Sequence, residues 1–180
     1  MKALNSEKLL VDFYDMYNSG AYKMAIPLIE TLLESDKKRS FWYYSRLSSC
    51  YYELQDYQKA LEYAGIAYKK QAKSPIVLWD YANVLIVTKK ERKAIRLLLK
   101  LQQLPDDFTV FKFETPQIKW MQSLKNDANF LLGRAFFIVR DDHLAKEYFT
   151  KYLLARKRGL KTIYTKKQVL VYLQKIESGL

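Results

Sequence analysis

The stretch from Tyr44 to Ala67, YSRLSSCYYELQDYQKALEYAGIA, decides the fold. It contains the spacing Tyr44-x-x-Leu47-Ser48-x-x-Tyr51, which is followed by Ala60 and then by Ala67 itself. The same frame returns in the segment 78–101, where Ala94 stands thirty-four positions after Ala60. A constant period of this length is typical of proteins built from repeated supersecondary units.

Two further alanines extend the period in both directions. Ala25 lies thirty-five positions before Ala60, and Ala145 lies fifty-one positions after Ala94, which is one period plus an insertion of seventeen. Four alanines that share one period favour a repeat protein over the alternative, an ordinary helical bundle with accidental spacing. A small residue at the same place in each unit lets two helices cross closely.

The pattern resembles the tetratricopeptide repeat (TPR) family, whose unit of about 34 residues is a helix–turn–helix with Leu-Gly and Tyr on the first helix and Ala on the second. The second and fourth units match best, and the first departs from the pattern, with Asp12-Phe13 at the Leu-Gly place. The resemblance implies an all-α fold, a right-handed α-solenoid of four helical hairpins closed by a C-terminal capping helix, with about nine helices in total.

The sequence predicts one domain, residues 1–180, with repeats at about 6–40, 41–74, 75–105 and 122–159, an insertion at about 105–121, and a capping helix at about 163–178. Helix starts are predicted at Ser6, at Ser74-Pro75, at Thr115-Pro116 and at Thr165. The segment Phe108–Phe113 is predicted to be extended, either as a loop packed on the nearest helices or as a flap.

Composition argues against several classes of function. A single His and a single Cys leave no internal disulfide and no multi-His or Cys-type metal site, and the five glycines form no phosphate-binding loop. We therefore expect no enzyme activity and no cofactor, with His143 as a solvated turn residue and Cys50 as a core residue. No targeting or membrane segment is recognisable, so a cytoplasmic protein is expected.

The resemblance also implies a concave groove lined by the positions that stand fifteen, eleven and eight places before each alanine. These positions are Leu10, Tyr14 and Tyr17; Ser45, Ser49 and Tyr52; Trp79, Asn83 and Ile86; Phe130, Arg134 and Phe137. TPR domains that grip a C-terminal carboxylate use Lys, Asn and Arg in such places, whereas here Trp79 and Phe130 replace the lysines. The resemblance thus favours a protein-binding adaptor or chaperone, similar to the small TPR chaperones of bacterial secretion systems.

The expected ligand is an apolar or amphipathic peptide segment of a partner protein. The predicted contact residues are Tyr14, Ser49, Tyr52, Trp79, Asn83, Phe130, Arg134 and Phe137. Aromatic side chains would anchor the peptide, with Asn83 and Arg134 fixing its direction. The alternative is that some of these aromatics only pack between repeats.

Charge gives a second candidate surface, because the net charge of +12 is uneven along the chain. Residues 1–60 carry eight basic and eight acidic side chains, whereas residues 121–180 carry twelve and five. The predicted polyanion patch consists of Lys151, Arg156, Lys157, Arg158, Lys161, Lys166 and Lys167. This patch could attract nucleic acid, an anionic membrane or an acidic protein, so the alternative function is that of a nucleic-acid-associated or regulatory protein. The patch could also be only a solvated face, and the same holds for a second basic cluster at 89–100.

Overall fold

In the computed structural model of the protein, residues 2–110 and 117–179 are described, with their side chains from Ser6 onward. These residues form nine α-helices and no strand, which confirms the all-α prediction. The helices are α1 (Lys2–Asn18), α2 (Tyr22–Ser35), α3 (Ser40–Glu53), α4 (Tyr57–Lys70), α5 (Pro75–Val87), α6 (Glu91–Gln103), α7 (Ile118–Ile138), α8 (Asp142–Lys157) and α9 (Lys166–Glu177).

The helices belong to two compact units, Met1–Thr88 and Lys89–Leu180. In unit 1 each of α1 to α4 packs on the next helix in the chain, and α3 also packs on α5. In unit 2 the helices α6 to α9 pack in the same consecutive manner, and α7 also contacts α9. Both units are therefore repeat-like arrays of helices.

The four alanines of the sequence period, Ala25, Ala60, Ala94 and Ala145, are completely buried. They lie near the starts of α2, α4, α6 and α8, the second helix of each predicted pair. A second position, twelve residues before each alanine, is also buried and holds Phe13, Ser48, Ala82 and Gly133 in turn. The sequence period is therefore a period of burial.

The backbone repeats a feature that the sequence analysis missed. Five residues before each alanine stands a residue with positive φ: Gly20 (80°), Gln55 (61°), Lys89 (58°) and Arg140 (64°). After α3, the Gln55 N–H donates to the Tyr52 carbonyl and the Asp56 N–H to the Tyr51 carbonyl, each at 2.9 Å. The same pair of bonds follows α1 and α7. This left-handed turn ends a helix by satisfying its last carbonyl groups.

The helix starts agree with the prediction in part. Thr165 caps α9 in a reciprocal arrangement with Gln168, and Pro75 occupies the first turn of α5, as expected. The hydroxyl of Ser74 makes no capping bond. The prediction for Ser6 is wrong, because α1 begins at Lys2 and Ser6 lies inside it. Thr115-Pro116 lies outside the described residues.

Part of the predicted insertion is helical. Helix α7 begins at Ile118 and has 21 residues, against 14 in α3, so about two extra turns precede the part that matches the repeat. Asp106 binds these turns through Gln122 Nε2 at 3.0 Å and Lys125 Nζ at 2.6 Å. Residues 108–110 are half-buried and form neither helix nor strand, and the rest of the predicted extended segment Phe108–Phe113 lies outside the described residues.

Candidate functional site

In unit 1 the predicted groove positions lie on neighbouring helices of one array. Tyr14 of α1 is 42% exposed, and its ring centroid lies 6.2 Å from that of Trp42 on α3. The hydroxyl of Tyr52 on α3 lies 3.5 Å from Asn83 Oδ1 on α5. Trp79 is half-buried and Asn83 is 9% exposed. The face of α1, α3 and α5 is therefore aromatic and lightly polar, with rings only partly withdrawn from solvent.

A buried ion pair joins α3 and α5 on this face of α1, α3 and α5, which we call the inner face after the groove that the resemblance implies. Arg46 Nη2 of α3 contacts Asp80 Oδ2 of α5 at 2.5 Å, and the two side chains are 14% and 5% exposed. Ser45 Oγ donates to the same carboxylate oxygen, and Ser49 Oγ donates to Oδ1 at 3.3 Å. Two predicted groove serines thus serve to hold Asp80, which makes Ser49 a support of the face.

Burial sets the protonation behaviour of this cluster. It raises the pKa of the Asp80 carboxyl, against the opposing effect of Arg46 and the serine donors. It also raises the pKa of Tyr17, whose environment includes Arg46 and Asp80, to about 12. Tyr17 is therefore a neutral phenol at physiological pH, and Arg46 supplies the positive charge of the face.

Two N–H groups of unit 1 have no acceptor among the described residues. They are Arg46 Nε and Trp79 Nε1, and both atoms are buried. The Arg46 guanidinium carbon also lies 5.6 Å from the centroid of the Trp42 ring. The Asp80 carboxylate holds the guanidinium through Nη2 and leaves Nε buried, so only the part of the Arg46 side chain that stays exposed, 14%, can meet a ligand.

The groove positions of unit 2 are engaged by the chain itself. Phe130 is 2% exposed, and its ring stacks on that of Tyr164, with centroids 3.9 Å apart. Phe137 meets the edge of Tyr172 on α9 at 5.3 Å, and the Arg134 guanidinium lies 6.0 Å from the Phe130 ring. Phe130 and Phe137 therefore pack against the C-terminal segment, as the packing alternative predicted for some of the aromatic residues, and Arg134 lies beside Phe130 on the same helix.

The loop 159–165 that carries Tyr164 is firmly anchored. The Tyr164 carbonyl accepts from the Tyr152 hydroxyl at 2.5 Å and from Arg156 Nη1 at 3.0 Å. The Ile163 N–H donates to Asp127 Oδ1 at 3.2 Å. Burial raises the pKa of Asp127 to about 7, against the lowering effects of that hydrogen bond and of Arg156.

The predicted polyanion patch divides into two groups. Arg156 is committed to the loop through Thr162 and Tyr164, and Lys151 Nζ is paired with Glu147 at 2.6 Å. The other members, Lys157, Arg158, Lys161, Lys166 and Lys167, are exposed. They extend from the end of α8 through the loop to the start of α9.

The sequence analysis overlooked Arg46, Asp80 and Trp42. Arg46 and Asp80 each stand fourteen positions before an alanine of the period, so they are one period apart. Phe130 and Tyr164 have the same separation. Since neighbouring first helices of an array are one period apart, opposite charges or two aromatic residues at that separation are a readable signal of contact.

Cys50 and His143, the two titratable residues singled out by the sequence, lie in different surroundings. Cys50 is completely buried, and burial raises the pKa of its thiol to about 12, which keeps it protonated. His143 is exposed in the first turn of α8, next to the capping residue Asp141. Within the described ranges, no three His, Cys, Asp or Glu side chains are grouped as a metal would require.

Comparison with known proteins returned no match, either among protein-family models or among curated proteins. Among the helices described, none has both the length and the apolar character needed to cross a membrane.

Proposed function

We propose that the protein is a non-catalytic interaction module of the TPR type, which binds an apolar or amphipathic peptide segment of a partner protein on the inner face of unit 1. One observation carries the proposal. Partly exposed aromatic rings, Tyr14 of α1 and Trp42 of α3, lie beside the Arg46 side chain, which is itself 14% exposed. Such a surface offers apolar anchoring and a directed hydrogen bond together.

The binding mode follows from the groups on this face. Tyr14 and Trp42 would cover apolar side chains of the peptide, because large rings bury much area at little entropic cost. Arg46 would donate to a backbone carbonyl, and Asn83 would contribute a weaker polar contact. The role of adaptor or chaperone rests on the sequence resemblance, as does the assignment of α9 as a capping helix.

The test begins with a peptide library displayed on phage, panned against the whole protein. Enriched peptides are synthesised and titrated by calorimetry. Trp42→Ala is expected to weaken binding by about 2 kcal/mol, roughly thirtyfold, because it removes a central aromatic anchor. Trp79→Ala should have a similar effect, and Asn83→Ala should cost about 1 kcal/mol.

Trp120→Ala is the matched control, since Trp120 lies on α7 in unit 2 and is 42% exposed, the same fraction as Tyr14. Circular dichroism verifies that each variant keeps its helices. If the peptides bind Trp42→Ala and Trp79→Ala as tightly as the wild type, the proposed site is wrong. If Trp120→Ala alone loses them, the ligand binds unit 2 instead.

A further inference from the structure

Unit 2 carries almost all of the net positive charge. Unit 1 has eleven basic and ten acidic residues, whereas unit 2 has twenty and nine. No acidic residue stands between Glu147 and Glu177, a stretch that contains eight lysines and arginines. The positive field is therefore concentrated around the end of α8, the loop 159–165 and α9.

Exposed aliphatic side chains lie among these cations. Ile163 is 65% exposed, Leu170 46% and Val171 44%. Lys161, Lys166 and Lys167, which are also exposed, stand within four positions of them along the chain. Helix α6 provides a contrast, because its exposed cations have no large exposed hydrophobic residue beside them in that fully described helix.

The loop fixes the direction in which Ile163 points. Its N–H is bound by Asp127, the next carbonyl is bound by Tyr152 and Arg156, and the Tyr164 ring is stacked inward on Phe130. Because these backbone groups and the Tyr164 ring are fixed on the inside, the Ile163 side chain is left pointing to solvent.

The first turns of α9 continue this surface. One side of the helix holds Lys167 together with Leu170 and Val171, which follow it by three and four positions. The buried Val169 and Ile176 define the opposite side, which packs on the unit. The outward side of α9 is therefore amphipathic in its own right, with aliphatic residues next to lysines.

We propose that Lys161, Ile163, Lys166, Lys167, Leu170 and Val171, the C-terminal face, dock on an anionic lipid membrane. Lysines near the surface are attracted to acidic headgroups, and the aliphatic side chains enter the boundary between headgroups and acyl chains. A nucleic acid would use the cations and leave the aliphatic residues unused, because bases stack on aromatic rings. Two copies of the chain would bring like charges together.

The experiment measures sedimentation of the whole 180-residue chain with vesicles of phosphatidylcholine alone or of phosphatidylcholine mixed with phosphatidylserine. We expect binding only to the anionic vesicles. Lys161→Glu/Lys166→Glu/Lys167→Glu should weaken it by at least roughly a hundredfold, since each surface cation is worth about a factor of five. The control Lys90→Glu/Arg92→Glu/Arg96→Glu makes the same charge change on and next to α6 and should retain most of the affinity.

A second variant separates docking from general attraction. Ile163→Ser/Leu170→Ser keeps every charge and should lower vesicle affinity about tenfold, while its retention on heparin stays that of the wild type. Circular dichroism and thermal melting verify that the variants are folded.

Four results would overturn the proposal. Equal loss in the two triple variants would show non-specific attraction, and unchanged affinity of Ile163→Ser/Leu170→Ser would show that the aliphatic residues do not insert. A short oligouridylate RNA bound while anionic vesicles are not would make the face a nucleic-acid surface. A dimer in light scattering that Leu170→Ser abolishes would assign the face to a second copy of the chain.

Discussion

The hairpins α3/α4 of unit 1 and α7/α8 of unit 2 share a skeleton. In each, an aromatic residue nine positions before the alanine stacks on a tyrosine three positions after it. The rings of Tyr51 and Tyr63 are 5.4 Å apart and 12° from parallel, and those of Phe136 and Tyr148 are 5.5 Å apart and 9° from parallel. In each hairpin an aspartate, Asp56 or Asp141, caps the second helix.

The two hairpins differ in which of their two helices contributes the large buried side chains. In α3/α4 the buried positions of the second helix are all alanine, namely Ala60, Ala64 and Ala67, and large side chains such as Tyr43 come from the first helix. In α7/α8 the second helix contributes Phe149 and Tyr152.

The first helix of α7/α8 compensates with small residues. Ala128 takes the place that Tyr43 has in α3, and Gly133 takes that of Ser48. A repeat therefore specifies the summed volume of facing positions rather than the residue at each of them, as a close-packed interior requires.

The largest effect on stability is expected at Phe149, a large, completely buried side chain between α7 and α8. Phe149→Ala should destabilise the protein by about 3–5 kcal/mol, because it leaves a cavity beside a glycine that cannot fill it. Urea denaturation measures the loss. The corresponding change in α3/α4, Ala64→Gly, should cost only about 1 kcal/mol, and equal losses would contradict the volume interpretation.

Gly133 tests the same complementarity from the other helix. A Cβ at this position would lie 2.6 Å from atoms of the Phe149 ring, which cannot be accommodated without a shift. Gly133→Ala should therefore destabilise by about 2 kcal/mol, although alanine favours a helix. Adding Phe149→Leu should recover most of the loss. A more stable single variant would show that the ring moves freely.

Asp127 should make the stability of unit 2 depend on pH in a way that α3/α4 cannot, because Trp42 stands at the equivalent position. Its pKa is about 7 in the folded protein and 3.8 ordinarily, so the folded state binds the proton more tightly. Its contribution to stability is therefore greatest at low pH and declines as the pH rises from about 4 to 7.

Asp127→Asn should remove this dependence while keeping an acceptor for the Ile163 N–H. Between pH 5 and 6.5 the wild type should lose about 2 kcal/mol more than the variant. Thermal unfolding across that range measures the difference. Parallel curves for the two proteins would mean that Asp127 is ionised throughout.

The smallest effect is expected at the left-handed turns, which the two hairpins share. Gln55→Gly and Arg140→Gly should each stabilise by about 0.5–1 kcal/mol, because glycine adopts positive φ without strain. Gly20→Ala, at the same place after α1, should destabilise by a similar amount. Melting temperatures measure these effects. A lower melting temperature in both glycine variants would show that the native side chains of Gln55 and Arg140 stabilise the turns.

The sequence predicted the period, the all-α fold, the buried alanines and the starts of α5 and α9, because each depends on spacing or on local capping chemistry. It missed Gln55 and Arg140 as left-handed residues, since neither residue type favours that conformation. The site was harder to predict. Position relative to Ala145 placed Phe130 in a groove, but only the three-dimensional structure shows Tyr164 covering it.

The Arg46–Asp80 pair has a consequence for how this chain could change its number of repeats. Deleting residues 41–74, which form most of α3 and all of α4, would keep the other turns and the spacing of the remaining alanines, yet it would put Asp80 at the place that Arg46 now holds, thirty-five positions after Val11. A carboxylate stranded in the interior without its cation costs several kcal/mol. The hairpins are thus not interchangeable modules: complementary charges define the order of α3 and α5, and loss of the hairpin α3/α4 would be selected against through folding alone.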